Sequence, residues 1–343
     1  MSSGGGGLVD GYRLVVFDLD GVIYLIDRPI PGAVEAVARL HAGGHLVAYA
    51  TNNASRRSAE VADLLTGMGV PARADEVLTS AAAAAEVLRE RLPAGAAVLV
   101  VGAEALRAEI SAVGLRPVGR AEEAPVAVVQ GYGPQVGWAD LAEASVAIRA
   151  GAMWVATNTD RTLPSGRGPL PGNGSLVAAL RTALGRGPDL VVGKPEPALF
   201  TTAARRAGGA DCLVVGDRLD TDIEGACRAG LPSLLVLTGV SGVTDLLAAP
   251  PQARPTYVSF DLAGLFDPDA VVRVPAGSPA GEGWSAQVRQ DAIELAGAGR
   301  PLDALAVLCA VTWAPGPAAG EGLPVRPVGT AAADALRALG LPS

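Results

Sequence analysis

The sequence predicts an α/β protein: a Rossmann-like parallel-sheet core, an inserted α/β domain, and a C-terminal, mainly helical extension. Three observations lead there. Short apolar runs alternate with helical segments from the start, which is the rhythm of βα units and a parallel sheet. That rhythm restarts near residue 80 and again after residue 184, so one sheet is interrupted by a second. From about Val271 proline and glycine become frequent and the α/β rhythm stops. The expected boundaries are 1–79 and 185–268 for the core, 80–184 for the insertion and 269–343 for the extension.

The first strand is Leu14-Val15-Val16-Phe17, an apolar run of the kind buried on both faces of a parallel sheet. Pro31 to Gly43 reads as a helix, with proline near its start and Gly43-Gly44 as its stop. Leu46 to Ala50 is the second strand, Ser58 to Met68 the second helix, and Val77-Leu78-Thr79 a short third strand. A helix over Ala81 to Arg91 leads into the insertion. Its strands are Ala97 to Val101, Val126 to Gln130 and Met153 to Ala156; its helices are Glu104 to Val113, Trp138 to Ala150 and Ser175 to Leu184. Leu190 to Lys194 and a helix from Pro197 to Ala207 return to the core. Strands at Cys212 to Val215, Leu234 to Leu237 and Tyr257-Val258 follow, with a helix at Ile223 to Ala229. In the extension, Trp284 to Ala296, Pro301 to Val311 and Thr330 to Leu339 read as helices, with a Pro/Gly-rich spacer before the last.

Composition narrows the function classes. With 343 residues the chain suits roughly two or three domains. Half of it is hydrophobic, which predicts a packed globular protein. The longest apolar stretch, near Leu305 to Val311, is far short of the ~20 residues of a membrane helix. The Ser-Gly arm at residues 2–7 lacks the basic and apolar regions of a secretory signal. Cys212, Cys227 and Cys309 form neither a disulfide framework nor a zinc motif, and a cytoplasmic location is expected. A net charge of −8 argues against nucleic-acid and anionic-membrane partners. The basic residues are 26 arginines and a single lysine, Lys194. A lone lysine in an arginine-biased chain reads either as a place where a compact ammonium is wanted rather than a planar guanidinium, or as chance survival, and the count alone does not decide between them.

Four polar constellations each follow an apolar run. Asp18-Leu19-Asp20-Gly21 ends the first strand, where α/β sheets place their chemistry. A carboxylate there can attack phosphorus, and a second can move protons. Thr51-Asn52-Asn53 ends the second strand and can hold phosphoryl oxygens. Gly193-Lys194-Pro195 brings the lysine, which can neutralise phosphate. Asp217, Asp220 and Asp222 follow the Cys212 strand, and this acidic set suits a hard cation, Mg²⁺ above all. Each also has an ordinary structural reading as a turn or helix cap. It is their joint occurrence, in this order, that points to chemistry.

In that order the motifs resemble those of the haloacid dehalogenase superfamily of phosphatases, over about Leu8 to Leu265. The resemblance implies a nucleophile and metal ligand at Asp18, and a general acid/base at Asp20 whose backbone carbonyl also meets Mg²⁺. It implies phosphoryl binding by Thr51 and Asn52, with Asn53 beside them, and charge stabilisation by Lys194. It implies metal binding by Asp217, with Asp222 supporting the metal shell and Lys194. The insertion lies between Asn53 and Lys194, which is similar to the branch of 4-nitrophenyl phosphatases, phosphoglycolate phosphatases and NagD-type phosphatases. Thr157-Asn158-Thr159-Asp160 and Pro171-Gly172-Asn173-Gly174-Ser175 agree with that branch, whereas Gly131-Tyr132-Gly133 departs from its usual Gly-Leu-Asp. The extension is most similar to that of actinobacterial glycerol 3-phosphate phosphatases.

The expectation is therefore an Mg²⁺-dependent hydrolase of a small phosphorylated metabolite, glycerol 3-phosphate first. Phosphoglycolate, nucleotides or sugar phosphates are the alternatives, and a non-catalytic phosphometabolite-binding protein is a weaker one. Tyr132, Asn158, Asp160 and Arg161 are the cap residues expected to meet substrate. A homodimer is an expectation that no motif carries. Other matches fail on their chemistry. Cys212-x₅-Arg218 has the spacing of cysteine phosphatases, but a buried strand and Asp217 replace the phosphate cradle. Gly193-Lys194 lacks the Ser/Thr of a P-loop, and His41 and His45 lack partner ligands for a metal.

Overall fold

The computed structural model describes residues 6–163, 168–314 and 322–342. Most of the N-terminal arm, and the Pro/Gly-rich spacer over 315–321, lie outside the described residues. The chain forms two compact units. One comprises Met1–Leu25, Pro29–Leu46 and Ala210–Ser343; the other comprises Ile26–Arg28 and Val47–Gly209.

In the first unit the strands Leu14–Phe17, Cys212–Gly216, Ser233–Val236 and Tyr257–Ser259 run parallel side by side. Every residue of the first two is buried, as their unbroken apolar runs require. Val271–Arg273 adds an antiparallel edge strand. The helix Ala33–Ala42 buries Ala33, Ala36, Val37 and Leu40, one face at helical spacing, and ends at Gly43 and Gly44. Gly44 has φ +78°, which glycine adopts without a Cβ penalty.

The extension belongs to this same unit and shares its core. Leu219, Ile223, Leu235, Val243 and Leu246 pack in one cluster with Trp284, Ile293, Leu302, Leu305, Leu308, Trp313 and Leu336. Trp313 donates from Nε1 to the Leu246 carbonyl at 3.2 Å, and the Arg254 guanidinium covers its ring at 4.9 Å. The helix Pro301–Thr312 is buried nearly all round, as its almost wholly apolar sequence demands. The helix expected at Trp284 to Ala296 is instead an antiparallel hairpin, Trp284–Arg289 with Ala292–Gly297. Its first strand alternates buried Trp284 and Ala286 with exposed Ser285 and Gln287, a period of two. The connection is Gln290-Asp291, with Gln290 at φ +53° where a hairpin more commonly places glycine or asparagine. That missing punctuation let two short strands read as one helix. Val325–Val328 then joins parallel to Ala292–Gly297, and Thr330–Ala338 is the last helix.

The second unit holds a five-stranded parallel sheet. Its spatial order is Leu190–Val191, Met153–Ala156, Ala127–Gln130, Ala97–Val101, Arg116–Val118. Numbered along the chain this is 5-4-3-1-2, a doubly wound sheet. Leu190–Val191, read from sequence as the return to the core, is thus the fifth strand of the inserted sheet. Trp154 lies fully buried at its centre with Leu99, Val128, Ile148 and Leu180. The same unit contains Val77–Thr79, paired parallel with Tyr49, Ala50 and Thr51.

Candidate active site

In the first unit, neighbouring parallel strands place three carboxylates together. Phe17 is in register with Val215, and the Asp18 N–H continues the ladder to the Val215 carbonyl at 2.9 Å. Asp18 therefore leaves its strand beside the end of Cys212–Gly216, after which come Asp217 and Asp222. Carboxylate oxygens of Asp18, Asp217 and Asp222 lie within 4.8 Å of one another, and all three residues are buried. At an effective dielectric of about 20, each such pair of negative charges repels by about 3.5 kcal/mol or more. Three hard oxygen donors crowded this way fit a divalent cation such as Mg²⁺. Asp20 stands outside this cluster: it is exposed, in the loop closed by the Gly21 N–H to the Tyr24 carbonyl at 2.8 Å.

Local backbone holds the acids. The Val240 N–H donates to Asp217 Oδ2 at 2.7 Å and the Arg218 N–H to Asp222 Oδ2 at 3.1 Å. The Ser241 N–H donates to the Asp217 carbonyl at 3.0 Å, and Ser241 Oγ accepts the Leu219 N–H at 3.0 Å. Thr238 Oγ1 donates to the Gly21 carbonyl at 2.6 Å. The loop Thr238 to Ser241 is the part that sequence reasoning missed; its only signal was a polar Thr-Gly after an apolar strand. Glycines make room. A Cβ on Gly239 would lie 1.9 Å from Asp217 Oδ2, and one on Gly216 would lie 2.2 Å from Asp222 Cβ. Gly216→Ala is accordingly expected to weaken Mg²⁺ affinity by about 10-fold or more, as disturbed supports of metal ligands do. Isothermal titration with MgCl₂ measures it; unchanged affinity would show that the acids can shift without loss.

In the second unit a different cluster forms. Lys194 is 3% exposed and its Nζ donates to the Ala50 carbonyl at 3.0 Å. Its backbone N–H donates to Asn52 Oδ1 at 2.7 Å, and its carbonyl accepts from Asn52 Nδ2 at 3.1 Å. Asn52 Nδ2 also reaches both carboxylate oxygens of Asp160 at 3.1 Å. Asn158 donates from Nδ2 to the Asn52 carbonyl at 2.7 Å. Thr51 is buried, and its Oγ1 accepts the Asn53 N–H at 3.1 Å. Asn52, Asn158, Asp160 and Lys194 are thus brought together. Asn53 is exposed and its Oδ1 serves a local turn, accepting from the Ser55 N–H and hydroxyl at 2.7 and 2.9 Å. Arg161 is exposed and Tyr132 half-buried.

The cysteine-phosphatase spacing has no chemical content. Burial pushes the Cys212 thiol up to about 12, so it is no thiolate at neutral pH. Arg218 is turned to Asp220 in a two-point pair at 3.0 and 2.8 Å.

Comparisons with known proteins identify the family. A haloacid dehalogenase-like hydrolase family model matches residues 15–116, and a second, HAD-hydrolase-like model matches 191–265. A GCN5-related N-acetyltransferase like domain model matches 282–341, where sequence reasoning found no motif. The D-glycerol 3-phosphate phosphatase of Mycobacterium tuberculosis is 52% identical over 279 residues, spanning 81% of this chain and 77% of that protein. A crystal structure of glycerol phosphate phosphatase from the same organism, in complex with magnesium, superposes with a TM-score of 0.89. It is 45% identical, over 98% of this chain and 100% of that one. The 4-nitrophenylphosphatase of Thermotoga maritima aligns with a TM-score of 0.70 and 33% identity, over 75% of this chain and 97% of that one. The chain therefore belongs to the haloacid dehalogenase-like hydrolases, as a phosphatase of the NagD and 4-nitrophenylphosphatase branch.

Proposed function

We propose that this phosphatase hydrolyses glycerol 3-phosphate, through an aspartyl-phosphate formed on Asp18. The observation that carries the chemistry is the clustering of Asp18, Asp217 and Asp222 within 4.8 Å; the substrate follows from the name of the 52% identical relative. In this reading a carboxylate oxygen of Asp18 attacks phosphorus, and the bond from phosphorus to the glycerol oxygen breaks. Asp20, exposed on the same loop, gives its proton to that leaving oxygen. It then takes a proton from the water that attacks the acyl phosphate, so that inorganic phosphate leaves and Asp18 is restored. Thr51 and backbone N–H groups of its loop hold phosphoryl oxygens, and the Lys194 ammonium offsets the gathering negative charge. Bound Mg²⁺, held by Asp18, Asp217 and the Asp20 carbonyl with Asp222 in support, supplies the remaining charge neutralisation. Asp160, Asn158, Arg161 and Tyr132 are the cap residues proposed to select the leaving group. Among the described residues no helix is long and apolar enough to cross a membrane. Three free cysteines favour a reducing cytoplasm.

The test is a phosphate-release panel of glycerol 3-phosphate, phosphoglycolate, nucleoside monophosphates and pyridoxal phosphate, with Mg²⁺ or with EDTA. Glycerol 3-phosphate is expected to show the highest kcat/KM, and EDTA to abolish release. A nucleotide preference would replace the substrate and keep the mechanism. Undiminished release in EDTA would remove the metal from it.

A further inference from the structure

Asn52 is half-buried and makes more polar contacts than a phosphate ligand could spare. A side-chain amide offers two N–H hydrogens and one carbonyl oxygen. Oδ1 accepts the Lys194 N–H at 2.7 Å. Nδ2 donates to the Lys194 carbonyl at 3.1 Å and, across both oxygens, to the Asp160 carboxylate at 3.1 Å. Both hydrogens are therefore engaged, and the one oxygen would repel a phosphoryl group rather than bind it. The Asn52 backbone is held too, its carbonyl accepting Ser80 Oγ at 2.6 Å and Asn158 Nδ2 at 2.7 Å. Gly193 lets the two strand ends close: a Cβ there would lie 2.6 Å from Asn52 Oδ1 and 2.5 Å from the Thr157 carbonyl. At the other end of Lys194, Nζ donates to Ala50, two residues before Asn52 and on the strand Leu46–Thr51 that Asn52 follows.

We propose that Asn52 is a positioning residue: it clamps the Lys194 backbone on both its N–H and its carbonyl, and so fixes where the only ammonium side chain of the protein is presented. The Asn52 side chain acts through Lys194 and does not touch substrate. The proposal rests on the reading of Lys194 as the phosphate-neutralising group. It replaces the amide of Asn52 as a phosphoryl ligand, which the Thr-Asn-Asn motif alone suggested. The clamp also explains why a two-point amide is used. An aspartate at 52 could accept the Lys194 N–H but would have no donor for its carbonyl.

A double-mutant cycle on the full-length protein with 4-nitrophenyl phosphate as probe separates the alternatives. Asn52→Ala is expected to lower kcat about 10- to 100-fold, the scale of a misplaced catalytic group, with KM changed less than about 3-fold. In a Lys194→Ala background the same change should cost less than about 3-fold, because a group that acts through Lys194 has nothing left to position. Asn52→Leu keeps the branched shape of the side chain, loses both contacts to Lys194 and adds no charge beside Asp160. It runs through the same cycle where Asn52→Ala does not fold, with the same expected non-additivity. Losses that multiply in the double variant, or a raised KM with kcat intact, would overturn the proposal while leaving the catalytic reading of Lys194 standing. Full turnover in Lys194→Ala alone would overturn both.

Discussion

Asp18→Asn is expected to lower turnover by roughly 10⁴- to 10⁶-fold, the scale seen when a catalytic nucleophile is removed. The change keeps the shape of the side chain and removes its charge. Asp18 lies at the end of a fully buried strand, and its ladder to Val215 uses only backbone atoms, which the change leaves in place. The melting temperature in EDTA should stay the same or rise, since one of three crowded negative charges is gone. The gain in melting temperature on adding Mg²⁺ should shrink, because a ligand has been lost. Calorimetry with and without the ion, beside a phosphate-release assay, measures both halves. Turnover within 10-fold of the unaltered protein would mean that another group attacks phosphorus, because a carboxamide is no nucleophile for that step.

Deleting the extension, residues 271–343, is expected to leave no stable phosphatase. The deletion would uncover Leu219, Ile223, Leu235, Val243, Leu246 and Val258. Fully burying such a side chain is worth about 1.5–3 kcal/mol, so re-exposing a third of six comes to roughly 3–6 kcal/mol. That is a large part of the roughly 5–15 kcal/mol by which a folded domain is stable. A single cavity reports on the same interface: Leu305→Ala, at a fully buried position, should cost about 2–5 kcal/mol. Leu219 and Ile223 flank Asp220 to Asp222, so the extension also backs the turn that carries Asp222. A truncated chain that stays soluble with an unchanged melting temperature would show the extension to be a separable module. Denaturant unfolding of Leu305→Ala with no loss of stability would say the same.

The acidic cluster was more legible in the sequence than the edge strands around it. The grouping of Asp18, Asp217 and Asp222 could be anticipated because cation binding demands carboxylates at neighbouring strand ends. The long strands could be read because burial on both faces demands unbroken apolar runs. The edge strands could not. Arg116–Val118 contains a proline and begins on an exposed arginine, and Val271–Arg273 is only partly buried. The hairpin after Trp284 was hidden by a turn built on Gln290. The work of Asn52 was hidden for a different reason: its partners Asp160 and Lys194 lie 108 and 142 residues away, and no local pattern records who uses an amide. The same holds for Thr238 to Ser241, where the N–H that holds the Asp217 carboxylate comes from Val240, 23 residues further on.

The central claim is that Asp18 becomes phosphorylated. The direct measurement is rapid acid quench of the Mg²⁺-loaded protein with glycerol 3-phosphate, followed by digestion and mass spectrometry of the peptide carrying Asp18. The expected result is one phosphoryl group on that carboxylate, formed no more slowly than phosphate release and absent from Asp18→Asn. Phosphate release with no phosphorylated peptide at any quench time, or a phosphoryl group on a different residue, would contradict the account.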